Sequence, residues 1–261
     1  TWVKENVATS RSLVATQSEA HEMKGKTILI TGGSEGVGLE LARQLVENNK
    51  VIVCGRSQEK LDTAKSQLPS LIVRRCDVTD PAQRQTLIES VVADFPGLSV
   101  LLNNAGAKTL TPTLPFDAAA RRQDFALNFE AAVELIDLVL PHFLSRPDAM
   151  IVNVTTGLVY VPKAGQAWYC AAKSALSSVT RSLRWALRNT SVSVVEVALP
   201  VVATAFHGEE PASGAMNADL AARQMLDALD NGSVHIDIGK SRLARFVSAF
   251  FPVGSLRFIN K

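Results

Sequence analysis

Short apolar runs rich in β-branched residues alternate with amphipathic stretches along most of the chain. The runs are Thr27–Thr31, Val51–Cys54, Leu71–Cys76, Ser99–Leu102, Met150–Thr155, Val192–Val197 and Val234–Ile238. Each has strand length, and several are apolar at successive positions, as strands covered on both faces require. Between them, apolar residues recur near the helical period and predict helices at about 40–49, 58–67, 80–95, 118–144, 167–188 and 218–229. Asp80-Pro81 supplies an N-cap and a first-turn proline for the third of these. Strand alternating with helix predicts one α/β domain: a mainly parallel seven-stranded sheet, doubly wound, with helices on both faces. Two segments leave the pattern. Residues from about 199 to 216 read as an irregular loop, and residues 241–261 form an amphipathic tail.

Length and composition narrow the class without changing that picture. The chain has 261 residues, 47% hydrophobic and 20% charged, enough for one large core. A net charge of +2 points away from nucleic acid. The cysteines, Cys54, Cys76 and Cys170, are odd in number and widely spaced, which fits reduced thiols and a cytoplasmic protein. His21, His142, His207 and His235 form no metal-ligand spacing, so no metal site is expected. No apolar run approaches a membrane span, and nothing resembles a secretory signal. Residues 1–23 are polar, with only a weak apolar spacing through Val3, Val7 and Val14. They read as an N-terminal extension or linker, with the domain proper at 24–261; Met23 itself would make a plausible start.

In a sheet of this kind ligands sit outside the C-terminal ends of the strands. The first strand runs there into Gly32, Gly33, Gly36 and Gly38, followed by a helical pattern. Glycines permit a tight turn and close backbone approach, and a helix N-terminus presents free N–H groups and a partial positive charge. The occupant that suits this site is a dinucleotide pyrophosphate, cradled by Gly32, Ser34, Glu35, Gly36, Val37 and Gly38. An acidic residue ending the second strand would bind an adenosine 2′-hydroxyl, but Gly55 stands there, followed by Arg56 and Ser57. A guanidinium beside a missing carboxylate suits a 2′-phosphate, which favours NADP(H) over NAD(H). Glu35 places a negative charge near the same pocket and argues the other way.

Tyr169 and Lys173 lie four apart on a predicted helix and share a face. A neighbouring ammonium stabilises phenolate, so such a tyrosine can exchange a proton with a carbonyl or alcohol oxygen near neutral pH. With this pair, four motifs stand in one order: TGGSEGVG at Thr31–Gly38, NNAG at Asn103–Gly106, Asn128 within the long helix, and YCAAK at Tyr169–Lys173. In that order and spacing the chain resembles the short-chain dehydrogenase/reductase family, in its compact branch, over roughly residues 24–240.

The resemblance implies a Rossmann-like fold and hydride transfer between a nicotinamide cofactor and a carbonyl or alcohol substrate. It implies Tyr169 as general acid/base, with Lys173 lowering its pKa and binding the nicotinamide ribose. Asn128 would hold a water of a proton relay. Asp77 and Val78 would contact adenine, Asn104, Ala105 and Gly106 would line the cleft, and Val202 and Thr204 would meet the nicotinamide end. A homodimer or homotetramer paired through the long helices is expected on the same ground.

The chain departs from the family pattern at two places. Thr156 stands where the family has serine, 13 residues before the tyrosine. Its hydroxyl can make the same hydrogen bond to substrate, though its methyl takes space; Thr155 is the weaker candidate for that role. Pro200-Val201 replaces the usual Pro-Gly, so the backbone loses left-handed freedom there.

Around the site, Phe206, His207 and Met216 are candidate wall residues of the substrate loop, and Trp168 and Tyr160 either border the pocket or pack in the core. The tail interleaves Leu243, Phe246, Val247, Phe250, Phe251 and Phe258 with Arg242, Arg245, Arg257 and Lys261. It can cover the cleft or pack against another subunit; contact with a membrane surface is the less favoured reading. Two alternatives to a free-standing enzyme stay open. One is a dinucleotide-binding regulator or scaffold without turnover. The other is a reductase tethered through residues 1–23 within a larger multidomain enzyme.

Overall fold

The computed structural model describes residues 22–109, 114–204 and 214–261. In chain order its strands are β1 (Thr27–Thr31), β2 (Lys50–Gly55), β3 (Ile72–Arg75), β4 (Leu98–Asn103), β5 (Met150–Thr156), β6 (Ser193–Leu199), β7 (Val202–Ala203), β8 (Met216–Asn217) and β9 (His235–Asp237). Seven of them form one all-parallel sheet in the order β3-β2-β1-β4-β5-β6-β9. The helices are α1 (Gly36–Leu45), α2 (Gln58–Gln67), α3 (Pro81–Asp94), α4 (Ala118–Phe125), α5 (Ala131–Leu144), α6 (Ala167–Ala186), α7 (Ala218–Asp230), α8 (Lys240–Phe250) and α9 (Pro252–Ile259).

Strand alternation divides the core into two layers. Along β1, Ile28 and Ile30 enter one layer and Leu29 the other; along β2, Val51 and Val53 oppose Ile52 and Cys54. Leu41 of α1, Leu61 of α2 and Met225 of α7 pack into the first layer. Leu87 of α3, Leu135 of α5 and Leu187 just past α6 pack into the second. A strand covered on both faces has no polar side to offer, which is why its sequence reads as a continuous apolar run.

The path from β1 through β2 to β3 builds one side of the sheet, and β4 then pairs with the opposite side of β1. Chain order therefore reverses between β1 and β4. That reversal opens a crevice beyond their C-terminal ends, bounded by the glycine loop and by Asn104–Gly106.

The elements differ from the sequence expectation at several points. α1 begins at Gly36 rather than near Glu40, because the glycine loop itself supplies the first helical turn. The stretch expected as one helix over 118–144 is interrupted by a π-helical turn at Ala126–Glu130. The segment from 199 to 216 is not wholly irregular, since its ends are joined by the two-residue parallel ladder β7–β8. Cys76 lies just beyond β3 and donates its N–H to the Gly55 carbonyl at 3.0 Å. Met23 is buried, and its N–H donates to Asp230 Oδ1 at 2.8 Å. The three cysteines are buried free thiols.

Candidate active site

The two lips of the crevice are bound to each other. Thr31, ending β1, accepts at Oγ1 from the backbone N–H of Asn104 at 3.1 Å and of Ala105 at 3.0 Å. Asn104 Nδ2 returns bonds to the carbonyls of Thr31 at 3.0 Å and Gly32 at 3.2 Å. Asn104 thus holds the glycine loop against the end of β4. Gly32 has φ +65° and lies so near Ala105 that a Cβ would come within 2.9 Å of the Ala105 Cα. A Cβ at Gly38 would collide with the Gly32 carbonyl. Both positions need glycine for steric reasons that belong to this turn.

The N-terminus of α1 has no side-chain cap and no acidic residue in its first turn. Glu35, which precedes it, turns away and places both carboxylate oxygens 2.8 Å from Lys60 Nζ. The exposed amide groups and dipole of α1 therefore point into the crevice with no internal anion to meet them, which fits a pyrophosphate. Thr204 leans over this turn: a Cβ on Gly36 would stand 3.3 Å from its Cγ2. Val202 is buried beside it in β7. Val201 follows an ordinary backbone path, and its carbonyl accepts from Met216 N–H at 2.9 Å, so losing glycine there costs the loop nothing.

At the end of β2 the place expected for a carboxylate lies close against a neighbour. A Cβ on Gly55 would stand 3.1 Å from Ser34 Oγ. Arg56 is exposed, and Ser57 caps α2 by accepting from Lys60 N–H at 3.3 Å. Lys60 was not singled out from the sequence, yet a signal existed. A cation in the first turn of a helix opposes the helix dipole and calls for an anion. Farther along, Asp77 Oδ1 accepts from both the N–H (2.9 Å) and hydroxyl (2.7 Å) of Thr79, and Val78 is buried beneath.

The reactive end is assembled by β5, α6 and the π turn. β5 runs out at Thr156, whose Oγ1 accepts from Leu158 N–H at 3.3 Å and is hydrogen-bonded with the Tyr169 hydroxyl. Thr155 points to the other face of the strand and donates to Glu196 Oε1 at 3.1 Å, which removes it from the reactive group. Tyr169 and Lys173 stand one turn apart on α6, both buried. Lys173 Nζ donates to the Val154 carbonyl at 2.9 Å. Asn128 lies in the π turn and donates from Nδ2 to the carbonyls of Ala107 at 2.7 Å and Asp124 at 3.0 Å. Its Oδ1 is buried without a hydrogen-bond partner. A Cβ placed on Gly106 would lie 3.0 Å from that oxygen and 3.5 Å from Lys173 Nζ. The acceptor and the cation therefore converge on one glycine.

Burial dominates the electrostatics here. It pushes the Tyr169 hydroxyl well above its ordinary range, while the hydrogen bond with Thr156 acts the other way. It also lowers Lys173 to about 8. Asp124, missed in the sequence, is buried one turn before Asn128 and accepts from the N–H and hydroxyl of Thr109 at 3.1 and 2.8 Å. Burial raises its carboxyl, and its two bonds brace Thr109 from inside. Its spacing from Asn128 on a common helix face was the available clue.

Trp168 packs against Phe116 with ring centroids 5.5 Å apart, and Arg121 lies over its ring. Tyr160 does not border the reactive group through its hydroxyl. It donates to Asp237 Oδ1 at 2.9 Å and meets His235 Nε2 at 2.8 Å. Phe206 and His207 lie outside the described residues; Met216 is half-buried under Gly239.

The fold and this constellation define a doubly wound oxidoreductase scaffold. Residues 26–213 match the family model for short chain dehydrogenases, and the chain belongs to that family. It is similar to the "Uncharacterized oxidoreductase DltE" of Bacillus subtilis, with 46% identity over 193 residues, 71% of this chain and 75% of that one. It is 35% identical over 183 residues to a "Tropinone reductase homolog" of Datura stramonium, covering 66% of this chain and 68% of the relative. In structure it superposes on a short chain dehydrogenase of Burkholderia cenocepacia in complex with NADP, at TM-score 0.81 and 22% identity, covering 92% and 99% of the two chains. A short chain dehydrogenase/reductase of Burkholderia phymatum in complex with NAD superposes at TM-score 0.79 and 20% identity, covering 92% and 97%.

Proposed function

We propose that the chain is an NADP(H)-dependent carbonyl reductase or alcohol dehydrogenase acting on a small-molecule substrate. The observation that carries this reading is the pairing of Tyr169 with Thr156 and, one turn along the same helix, of Lys173 with the orphaned Asn128 Oδ1 beside Gly106. The nicotinamide, when bound, supplies or receives the hydride. In reduction, Thr156 Oγ1 donates a hydrogen bond to the substrate carbonyl oxygen and fixes its position. Tyr169 then passes its hydroxyl proton to that oxygen as charge develops on it. Lys173, already near the residue 106 backbone, stabilises the phenolate left behind and binds the nicotinamide ribose. Asn128 Oδ1 offers an acceptor for the water that returns a proton from solvent. Burial of the group excludes bulk water and strengthens each of these interactions.

Preference for the 2′-phosphate rests on Ser34, Arg56 and Lys60 at the end of β2, where Gly55 brings no carboxylate. Lys60 neutralises Glu35, the residue that argued for NAD(H). One structural neighbour was solved with NADP and another with NAD. The same reading has copies pairing through the outer faces of α5 and α6, where Leu144 and Trp185 stand exposed.

The test is a fluorescence titration of the protein with NADPH and NADH. NADPH should bind roughly tenfold tighter or better, and Arg56→Ala should remove most of that margin. Equal or tighter binding of NADH overturns the cofactor preference; binding of neither overturns the reductase reading.

A further inference from the structure

Over residues 238–261 the chain carries Lys240, Arg242, Arg245, Arg257 and Lys261 and not one Asp or Glu. The remaining residues hold the other 22 of 27 cations against all 25 acids, so a basic tail is joined to an acidic body. This segment folds as α8 and α9, joined at Phe251–Pro252. On α8, Leu243, Phe246 and Phe250 recur on one helical face and are 62%, 61% and 65% exposed. The Phe246 and Phe250 rings pack together at 4.8 Å, so the stripe is ordered within itself. Phe251 at the joint and Val253, Leu256 and Phe258 on α9 are also exposed, Phe258 at 81%. Among the described residues, seven of thirteen exposed large hydrophobics fall within these two helices and their joint, a patch rather than scatter.

The two helices are fastened to the body by their other sides. Ser241 is buried against Gly157, and Arg245 donates to Asp237 Oδ2 at 3.2 Å. Asn260 accepts from Ala164 N–H at 2.6 Å and donates to the Pro162 carbonyl at 3.1 Å. The phenylalanines cannot turn inward without breaking these anchors. Beside α9 lies a groove of about 780 Å³ with alanine walls from α6 and with Lys163, Arg257 and Lys261 among its lining residues, but no acid. It continues the apolar and cationic character of the helices toward the start of α6.

We propose that α8 and α9 form an interfacial docking unit that seats this protein on an anionic lipid bilayer. The phenylalanines enter the boundary of the acyl region and the cations meet lipid phosphates, the arrangement of a helix lying in the interface plane. Among the described residues no helix is long and apolar enough to cross a bilayer, so the contact is on the surface. Arg245 is paired with Asp237, but a second copy docking face to face would set Lys240, Arg242, Arg257 and Lys261 against their like, whereas an anionic surface complements them. The proposal does not depend on the reductase reading.

The test is co-sedimentation of the full chain with vesicles of phosphatidylcholine alone and of phosphatidylcholine with phosphatidylglycerol. Partitioning should be at least about tenfold stronger on the anionic vesicles and should fall severalfold in high salt. The pair Phe246→Ser and Phe250→Ser should weaken it by roughly tenfold or more, with circular dichroism and cofactor binding unchanged. Arg242→Glu with Arg257→Glu leaves the apolar stripe in place and should abolish the anionic preference. Equal binding to both vesicle types, or a preference that survives the charge reversal, overturns the proposal. It also falls if no vesicle binds and the serine pair dissociates a solution dimer, which would assign the patch to a second copy.

Discussion

The chain's two tyrosines both follow β5, and burial drives both hydroxyls up, yet their surroundings differ in kind. Tyr160 donates to Asp237, meets His235, and has Glu196 and Arg245 in the next shell of charge. Its carboxylate neighbours oppose a phenolate, so its proton is held. Tyr169 is hydrogen-bonded with a neutral threonine and has Lys173 one turn away on the same helix. A hydroxyl partner in place of a carboxylate favours the phenolate, so that proton is the more readily transferred. On the proposed reading the same side chain, half-buried in one place and buried in the other, is a structural clamp in the first and a proton donor in the second, according to the partner of its hydroxyl.

Phenylalanine at each position separates the two roles most sharply. Tyr169→Phe should lower turnover about a thousandfold or more, the scale of a lost general acid, with NADPH binding changed by no more than about twofold. Tyr160→Phe should leave turnover within about threefold but cost roughly 1–2 kcal/mol of stability, because Asp237 and His235 lose a half-buried partner. Steady-state kinetics and denaturant melts on the two variants read both quantities. If Tyr160→Phe removed as much turnover as Tyr169→Phe, the contrast between held and transferable proton would collapse.

A smaller effect follows from Lys173. Burial lowers it to about 8, so its charge disappears as pH rises through that value, while Tyr169 keeps its proton. Carbonyl reduction should be level below about pH 8 and fall roughly tenfold per unit above it. Single-turnover oxidation of NADPH between pH 6 and 10 measures this; a flat profile would show that the lysine's charge is not needed.

The candidate reactive group could be proposed from the sequence because its parts are local: glycines that must end a strand, and Tyr169 and Lys173 at helical spacing. Groups assembled by register could not. Glu196, His235 and Asp237 come together because β6 and β9 pair with Glu196 opposite His235 and Ala198 opposite Asp237. Half of that was visible as an anomaly, since a glutamate inside the apolar run of β6 needs a partner. The identity of the partner depends on which strand lies next, which spacing alone does not say. The π turn that carries Asn128 has no local signature either, so the sequence offered one uninterrupted helix there. Lys60 and Asp124 were readable only through rules of helix dipole and face that become pointed once the neighbouring loop is known.

The charged clamp around Tyr160 supplies the last test, read in stability alone, and one that the reactive group should fail to imitate. Glu196 is fully buried, and its carboxylate is held below the usual range by His235, Ser177 and Thr155 in spite of that burial. His235 is raised from 6.5 to about 9, chiefly by Asp237 and then by Glu196. A group raised in the folded state contributes stability that is full below its ordinary value and lost as pH rises through the folded one. The advantage of the parent over His235→Gln should therefore be on the order of 2–3 kcal/mol near pH 6 and close as pH passes about 9. Tyr169→Phe, with no histidine in its group, should differ from the parent in stability by an amount that stays level from pH 6 to 8. Melting curves from pH 6 to 10 decide the matter: a gap for His235→Gln that does not narrow toward pH 10 would mean that the clamp holds through shape and neutral hydrogen bonds rather than through charge.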